Sequence, residues 1–408
     1  MSGSVAPALA GWAAALRPGE EDLATARRAL LDTVMVAVAA REEPLNAIAA
    51  GLGPGGRMAV AAHLHDYDDL HLPSTAHVSA VCVPATVAAG GDARAYLAAA
   101  GVMARLGELL GWGHYTAGWH ATCTAGAPAA AVAAGIAAGL DAEGLARAMA
   151  LAVPAAGGNH RAFGSAAKSL QVGFAVDAGL RAAALARAGA SADASIVDAW
   201  IELLEGVVGE GGAGVEAAPA IPGGLAIKLH PCCYALQRPI AATREALGGR
   251  RALAAGEVGA IRVAAPEGSL RPLIHDRPTT GLEGKFSLQY AVAATLLDEA
   301  PGLDSFTDEA VARADAQELL RRVEVRRTPG DGDLLVGAVT VTIELVDGEQ
   351  PAATVELPPG APGRPPTEAE LGEKLAACAG PDAAAVAGLT WEAAPDAVPR
   401  LLGWTAVA

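Results

Sequence analysis

The chain has 408 residues, of which 52% are hydrophobic and 18% are charged, and its formal net charge is −16. This composition excludes an intrinsically disordered protein, and the length predicts two domains. A surface this acidic repels nucleic acids and anionic membranes, so we expect neither as a partner. The five cysteines are irregularly spaced and form no CxxC pair. This argues against a disulfide framework and a structural zinc site and predicts a cytoplasmic protein, as does an N-terminus without signal-peptide features.

From Glu20 to Gly248 the apolar residues recur at helical spacing. The predicted helices cover residues 22–41, 92–110, 128–139, 142–152, 166–188, 192–204 and 234–247. Residues 121–140 carry no charge and reach membrane-spanning length, but they are mostly alanine and glycine, with Pro128 inside. Insertion into a membrane would be weakly driven, so we predict a buried central helix instead.

After Gly248 the pattern changes to alternating apolar and polar residues with many β-branched positions. We predict strands at residues 258–264, 323–327, 336–345 and 353–357, a helix at 286–297, a proline-rich loop at 358–366 and a helix at 367–379. Thr367 and Glu370 match a capping box. The sequence therefore predicts a helical domain (1–253), a smaller α/β domain (254–366) and C-terminal helices (367–408) that return to the first domain.

The first polar stretch contains four histidines and three aspartates within fifteen residues. A lone histidine is usually solvated or capping, but unpaired buried carboxylates are costly, so this density indicates a paired cluster. An aspartate–histidine pair makes a general base near neutral pH. A metal site is the alternative, since His63 and His65 could flank a cation. Because the spacing matches no strong metal motif, we predict no metal. The residues are His63, His65, Asp66, Asp68, Asp69, His71 and His77.

Two further stretches lead into predicted helices. His120, in Gly118-Trp-His, precedes the uncharged helix, whose first N–H groups form a plausible anion cradle. The alternative for His120 is a satisfied core histidine. Lys168 ends the stretch 157–168 and could bind a carboxylate, or act as an acid if it is desolvated. An ordinary first-turn lysine is the alternative there.

The fourth stretch, residues 227–234, contains Lys228 and Cys233. The thiol of Cys233 is either a nucleophile activated by a helix N-terminus or a small packing residue. Lysine is scarce, because only four of the 29 basic residues are lysine. A lysine retained in such a sequence is a candidate for a position that needs a compact ammonium donor. The four are Lys168, Lys228, Lys285 and Lys374.

Taken in order, these stretches resemble the 2-methylcitrate dehydratase (MmgE/PrpD) family, which also includes cis-aconitate decarboxylase and iminodisuccinate epimerase. No single motif is decisive, but the ordered set is specific and runs over most of the chain. The matching segments are His63 to Asp69 with His77 downstream, Gly118-Trp119-His120, residues 163–168, Lys228 to Cys233, and residues 283–290.

The resemblance implies a mainly α fold, with a large all-helical domain formed from both chain ends and a smaller α/β lid domain. It also implies a homodimer, a small-molecule carboxylate substrate, no organic cofactor and no required metal. The implied site lies between the domains and comprises Asp66, His77, His120, Lys168 and Lys228, to which we add His63 and Cys233 as substrate-binding candidates.

The predicted chemistry is proton transfer beside a carboxylate of a di- or tricarboxylic acid. His77, oriented by Asp66, is the predicted base or acid, and His120 is its counterpart. Lys168 and Lys228 would bind carboxylates and stabilise enolate-like charge.

Several positions depart from the family pattern and leave alternatives open. The alternatives to dehydration are epimerisation of the iminodisuccinate type, decarboxylation, which these departures disfavour most, a metal-dependent hydrolase and a non-catalytic metabolite-binding homologue. The departing positions are Leu70, Val78, Gln171, His230 and Cys233.

Overall fold

The computed structural model describes residues 4–208, 219–329 and 336–404. The predicted domain ranges also contain residues 1–3, 209–218, 330–335 and 405–408, which lie outside the described residues. The first part of the chain is helical, with α1 (Val5–Ala15), α2 (Glu20–Ala39), α3 (Pro44–Ile48), α4 (Pro54–Leu64), α5 (Ser79–Ala88), α6 (Ala93–Thr116), α7 (Ala121–Thr124), α8 (Gly126–Ala137), α9 (Ala142–Ala152), α10 (Ala167–Arg187) and α11 (Ile196–Leu203).

Helix α8 lies at the centre of this part and consists largely of alanine and glycine. Its residues 126–135 are all buried, and α5, α6, α9 and α10 pack around it. Helix α10 approaches closely, because a Cβ atom on Gly179 would lie 2.4 Å from the carbonyl oxygen of Ala127. The predicted buried central helix is therefore confirmed. Within the described ranges, no helix is both long and apolar enough to span a membrane.

A second hydrophobic core surrounds a small mixed sheet. The sheet order is β2-β1-β3-β4; β1 is parallel to β2 and antiparallel to β3, and β4 is antiparallel to β3. Helix α12 packs on β3 and β4 although it falls within the predicted range 1–253. The elements are α12 (Gln237–Leu247), β1 (Val258–Pro266), α13 (Glu267–Leu270), α14 (Gly281–Gly284), α15 (Leu288–Asp298), α16 (Asp308–Ala312), α17 (Ala314–Arg321), β2 (Val323–Thr328), β3 (Val339–Leu345) and β4 (Ala352–Val355).

The C-terminal segment adds α18 (Glu368–Ala379), α19 (Ala383–Ala387) and α20 (Ala394–Leu401). Helices α18 and α19 pack against α2, and α20 packs against α5. Thr367 caps α18, and the carboxylate of Glu370 accepts from the backbone N–H of Thr367, as the sequence predicts. Both chain ends thus build the helical part, and the predicted mainly α fold with a smaller α/β part is confirmed.

Candidate active site

The polar stretch after α4 is buried rather than solvated. His63 lies in the last turn of α4, and every residue from His63 to Asp69 is buried. Asp66 has a φ of 53°, a left-handed conformation that aspartate tolerates better than most residues. Leu70 forms a bridge with Ala226, which brings the loop that carries Lys228 alongside this stretch.

The Asp68 carboxylate lies between two imidazoles. Its Oδ2 atom is 2.8 Å from Nδ1 of His63 and 2.9 Å from Nδ1 of His77. The His63 contact is a hydrogen bond, whereas the His77 ring is not aligned for one. Nε2 of His77 lies 3.6 Å from Oδ1 of Asp66. The sequence predicted that Asp66 orients His77, but Asp68 lies closer to that ring.

Two lysines share the carboxylate of Asp66. Nζ of Lys228 lies 2.8 Å from Oδ1 of Asp66 and 2.7 Å from its carbonyl oxygen, and Nζ of Lys168 lies 3.0 Å from the same Oδ1. Lys168 also donates to Nε2 of His63 at 2.7 Å. Each ammonium has three N–H groups and uses two of them in these contacts, which leaves one unassigned on each. Lys228 itself is fully buried.

All four lysines of the chain are buried and donate to one short segment. They come from α10, the loop before α12, the end of α14 and α18, so every part of the fold contributes a donor. The scarcity of lysine in the sequence therefore marks buried ammonium donors. The contacts are Lys168 to Asp66 Oδ1, Lys228 to the Asp66 carbonyl, Lys285 to the His65 carbonyl and Lys374 to the Tyr67 carbonyl.

His120 precedes α7, and its ring is held by Gln171. The side-chain oxygen of Gln171 accepts from the backbone N–H of Asn159 at 2.9 Å, so its amide nitrogen faces Nδ1 of His120 at 2.8 Å. An amide nitrogen only donates, so Nδ1 carries the lone pair and Nε2 of the neutral ring carries the proton. The thiol of Cys123, 3.3 Å from the same Nδ1, is a second donor.

Burial keeps these histidines neutral at neutral pH. Removal from water lowers the pKa of His63 and of His120, and lowers the pKa of His77 to about 3. Burial alone would raise the pKa of Asp66 and Asp68. The adjoining ammonium groups nevertheless hold the pKa of Asp66 well below its usual value, and the adjoining imidazoles do the same for Asp68. The cluster therefore combines ionised carboxylates with ammonium groups and neutral imidazoles.

A cleft with a volume of about 680 Å³ opens beside the cluster, a size in the range of roughly 300–1,000 Å³ of small-molecule sites. Asp66 and Lys168 line it from the helical part, and Lys285 and Phe286 line it from the segment after α14. The rings of Phe163 and Phe286 stack 5.4 Å apart, and both lie within 5.7 Å of Nζ of Lys168. Such apolar surroundings strengthen the attraction of an ammonium group for a bound anion.

Other candidates have structural partners. His71 is held by Oγ of Ser74 at 2.7 Å and the carbonyl of Pro222 at 2.6 Å, so neither ring nitrogen is free. His63 also has both nitrogens engaged, by Asp68 and Lys168.

Burial raises the pKa of the Cys233 thiol to about 12, which favours a packing or polar-contact role over a nucleophile.

Sequence reasoning left Asp68, Gln171 and Lys285 out of the candidate site. Asp68 stood in the acidic run but could not be told apart from Asp66 by spacing alone. Gln171 stands out in the sequence only as a departure from the family pattern. Lysine scarcity already pointed to Lys285, and this was the signal that could have placed it at the cleft.

Two family models match this chain. The MmgE/PrpD N-terminal domain matches residues 57–210, which include the His63 to His77 stretch, His120 and Lys168. The MmgE/PrpD C-terminal domain matches residues 230–388. Cis-aconitate decarboxylase from Aspergillus terreus is 26% identical over 347 residues, which cover 74% of this chain and 69% of that relative. The two models together span most of the sequence and agree with the observed fold, so the chain belongs to the MmgE/PrpD family.

Proposed function

We propose that the protein is a cofactor-independent lyase or isomerase that transfers a proton at a carbon next to a carboxylate of a small di- or tricarboxylic acid, in the manner of a 2-methylcitrate dehydratase. One observation carries this proposal: His77 and His120 lie in one buried cluster with His63, whose Nε2 accepts from Lys168, and Lys168 lines the cleft. Family membership and the relative named cis-aconitate decarboxylase support lyase chemistry.

His77 is the proposed base. The ionised carboxylate of Asp68 lies 2.9 Å from Nδ1, which favours a proton on that nitrogen and leaves the lone pair on Nε2. The lowered pKa keeps the ring unprotonated before the reaction. When Nε2 takes the proton from carbon, the negative charge of Asp68, 2.9 Å from Nδ1, stabilises the imidazolium that forms.

His120 is the proposed acid. Its Nε2–H is the donor in the tautomer that Gln171 selects, and its ring centroid lies 6.5 Å from that of His77. The electron pair left on carbon would delocalise into the adjacent carboxylate, whose negative charge Lys168 stabilises. In dehydration the Nε2 proton of His120 passes to the departing hydroxide, and in epimerisation it passes to the opposite face of the carbon. Either step leaves His120 as an imidazolate, and the proton that His77 took from carbon restores the neutral ring.

Solvent deuterium uptake tests this proposal. Di- and tricarboxylic acids of four to seven carbons are incubated with the enzyme in D2O and followed by proton NMR. We expect exchange at a carbon next to a carboxylate, with or without net turnover, and loss of exchange in folded His77→Ala. Net water loss would identify a dehydratase, and exchange without net turnover an epimerase. Exchange that persists in His77→Ala, or no exchange with any acid, would remove the proposal.

A metal-dependent hydrolase is the second candidate. His63, Asp66, Asp68 and His77 each offer one ligand atom, and these atoms lie within 4.8 Å of one another. Against it, ammonium groups already hydrogen-bond Oδ1 of Asp66 and Nε2 of His63, so a cation would have to displace them. Hydrolytic activity that a chelator abolishes and Zn²⁺ or Mn²⁺ restores would favour this candidate.

A further inference from the structure

Lys285 differs from the other three lysines in having no carboxylate partner among the described residues. Lys168 and Lys228 pair with Asp66, and Lys374 pairs with Asp32 at 2.6 Å. Nζ of Lys285 instead donates to two carbonyl oxygens, those of His65 at 3.0 Å and Pro231 at 2.9 Å. The side chain is 3% exposed. Because buried charges in proteins are normally paired with an opposite charge, this ammonium has an incomplete environment.

The missing partner is not supplied by the groups that face Lys285. Burial lowers the pKa of Lys285 to about 8, and the nearby Lys228 acts in the same direction. Cys232, Asp66 and Glu43 oppose this shift without restoring the usual value of 10.5. The ammonium is still protonated at neutral pH, so the protein retains an uncompensated positive charge at this position.

The uncompensated charge faces the candidate substrate site. Lys285 lines the same cleft as Asp66 and Lys168, and its Nζ lies 5.2 Å from the centroid of the Phe306 ring, another residue of that cleft. Two of its three N–H groups serve carbonyl oxygens, which leaves one for a ligand. In a chain of net charge −16, a buried ammonium without a carboxylate partner among the described residues is an unusual local attraction for an anion.

We propose that Lys285 is a substrate-binding residue that pairs with a second carboxylate, remote from the carbon at which the proton moves. This inference rests on the proposed function, because it assigns the reacting end of the substrate to the cluster around Lys168. It predicts that the substrate carries at least two ionised carboxylates. Lys285 ends α14 in the α/β part, so the bound anion would connect the two parts of the molecule.

The scarcity of lysine makes a direct test practical. With ¹³Cε-labelled lysine the protein gives four side-chain signals, which Lys→Arg variants assign one by one. We expect tricarballylate, a tricarboxylate, to shift the Lys285 and Lys168 signals and to raise the titration midpoint of Lys285 above about 8. The Lys374 signal serves as the control and should not move, since its charge is already paired with Asp32.

Calorimetry supplies the second measurement. Lys285→Gln removes the charge and retains an amide with two N–H donors near the carbonyls of His65 and Pro231. We expect this variant to bind tricarballylate at least about tenfold more weakly, the scale of one hydrogen bond to a charged group. Unchanged affinity, or no binding of tricarballylate to the unaltered protein, would overturn the proposal.

The deuterium experiment separates this inference from the reaction. Deuterium uptake with an unmoved Lys285 signal would retain the reaction and remove the subsite. A shifted Lys285 signal without deuterium uptake from any acid would retain the subsite and remove the reaction.

Discussion

The two sides of the His65–Tyr67 segment use buried lysines in different ways. On the side of α2 and α18, Lys374 donates to the carbonyl of Tyr67 and pairs with Asp32, so its charge is balanced within the protein. On the cleft side, Lys285 donates to the carbonyl of His65 and has no carboxylate partner among the described residues. The two lysines are equally buried and make the same kind of main-chain contact. The presence of a carboxylate partner, and not the degree of burial, therefore distinguishes the structural lysine from the candidate ligand-binding lysine.

Arg251 illustrates the opposite extreme, an ion pair at the surface. Arg251 pairs with Glu257 at 2.8 Å, but the two side chains are 70% and 38% exposed. Exposed pairs of this kind contribute little to stability because water and salt screen them. Burial thus distinguishes the ammonium groups around the His65–Tyr67 segment from surface pairs such as this one.

The largest expected effect comes from removing Lys374, whose charge is balanced by Asp32. Lys374→Met leaves the carboxylate of Asp32 buried without its partner, which should cost about 3–5 kcal/mol of unfolding free energy. Chemical denaturation measures this loss. The deuterium-uptake rate of the protein that remains folded should stay near that of the unaltered enzyme, because Lys374 is not among the residues that line the cleft.

The double variant Lys374→Met with Asp32→Leu is the control. Replacing both members of a buried pair by apolar groups is often nearly neutral, so most of the lost stability should return. If the double variant is as unstable as the single one, the ion pair is not what makes this side of the turn stable.

The next largest effect comes from removing the ammonium of Lys168 on the cleft side. Lys168→Gln removes the ammonium that faces Asp66 and His63, and we expect exchange activity to fall about 10²–10³-fold, as it does when one donor to a developing oxyanion is lost. The midpoint of thermal unfolding should change less than in Lys374→Met, because Asp66 keeps Lys228 as a partner. His275→Asn, a histidine outside the cluster, is the matched control and should retain activity.

Titration of stability sharpens the contrast between the two lysines. The pKa of Lys285 is lowered to about 8, so between about pH 8 and 10.5 the unfolded chain binds more protons than the folded protein does. Stability from this residue therefore rises with pH in that window, with a slope of at most about 1.4 kcal/mol per pH unit. Denaturation of Lys285→Gln over the same range should lack this contribution. An identical pH dependence in both proteins would show that Lys285 carries no uncompensated charge.

Much of the fold could be predicted from the sequence because its helices are long and periodic. The predicted helices do not include α4 and α5. Pro54-Gly55-Gly56 opens α4 and Pro84 lies inside α5, and proline and glycine at such positions are signals of turns. These helices form because tertiary packing buries them against α10. For α12 the periodicity predicted the helix correctly, but periodicity cannot say which core a helix joins.

The candidate site was predicted in its residue types more than in its contacts. The sequence places His63, His77 and the aspartates in one short stretch. In the structure the four separated stretches meet in one cluster. Which carboxylate meets which imidazole depends on the left-handed backbone at Asp66, which directs its side chain toward the lysines and leaves Asp68 to the histidines. A single sequence contains no signal for that one dihedral angle.

The smallest expected effect concerns a neutral contact on the cleft side. Gln171→Glu is isosteric, so one carboxylate oxygen still accepts from the backbone N–H of Asn159. The other oxygen can only accept, so it should draw the proton of His120 to Nδ1, whereas the amide of Gln171 holds that proton on Nε2. Nitrogen-15 NMR of labelled histidine distinguishes the two forms, with His120→Gln to assign the signals.

In this variant we expect exchange activity to fall about three- to tenfold, the scale of one hydrogen bond, if His120 donates through Nε2. Gln171→Met is the control, since it removes the constraint without imposing the opposite one and should give a mixture of the two forms. A ring protonated at Nδ1 in the unaltered protein would contradict the assignment of His120 as the acid. The proton donor would then have to be one of the ammonium groups, and Gln171 would only hold the ring in place.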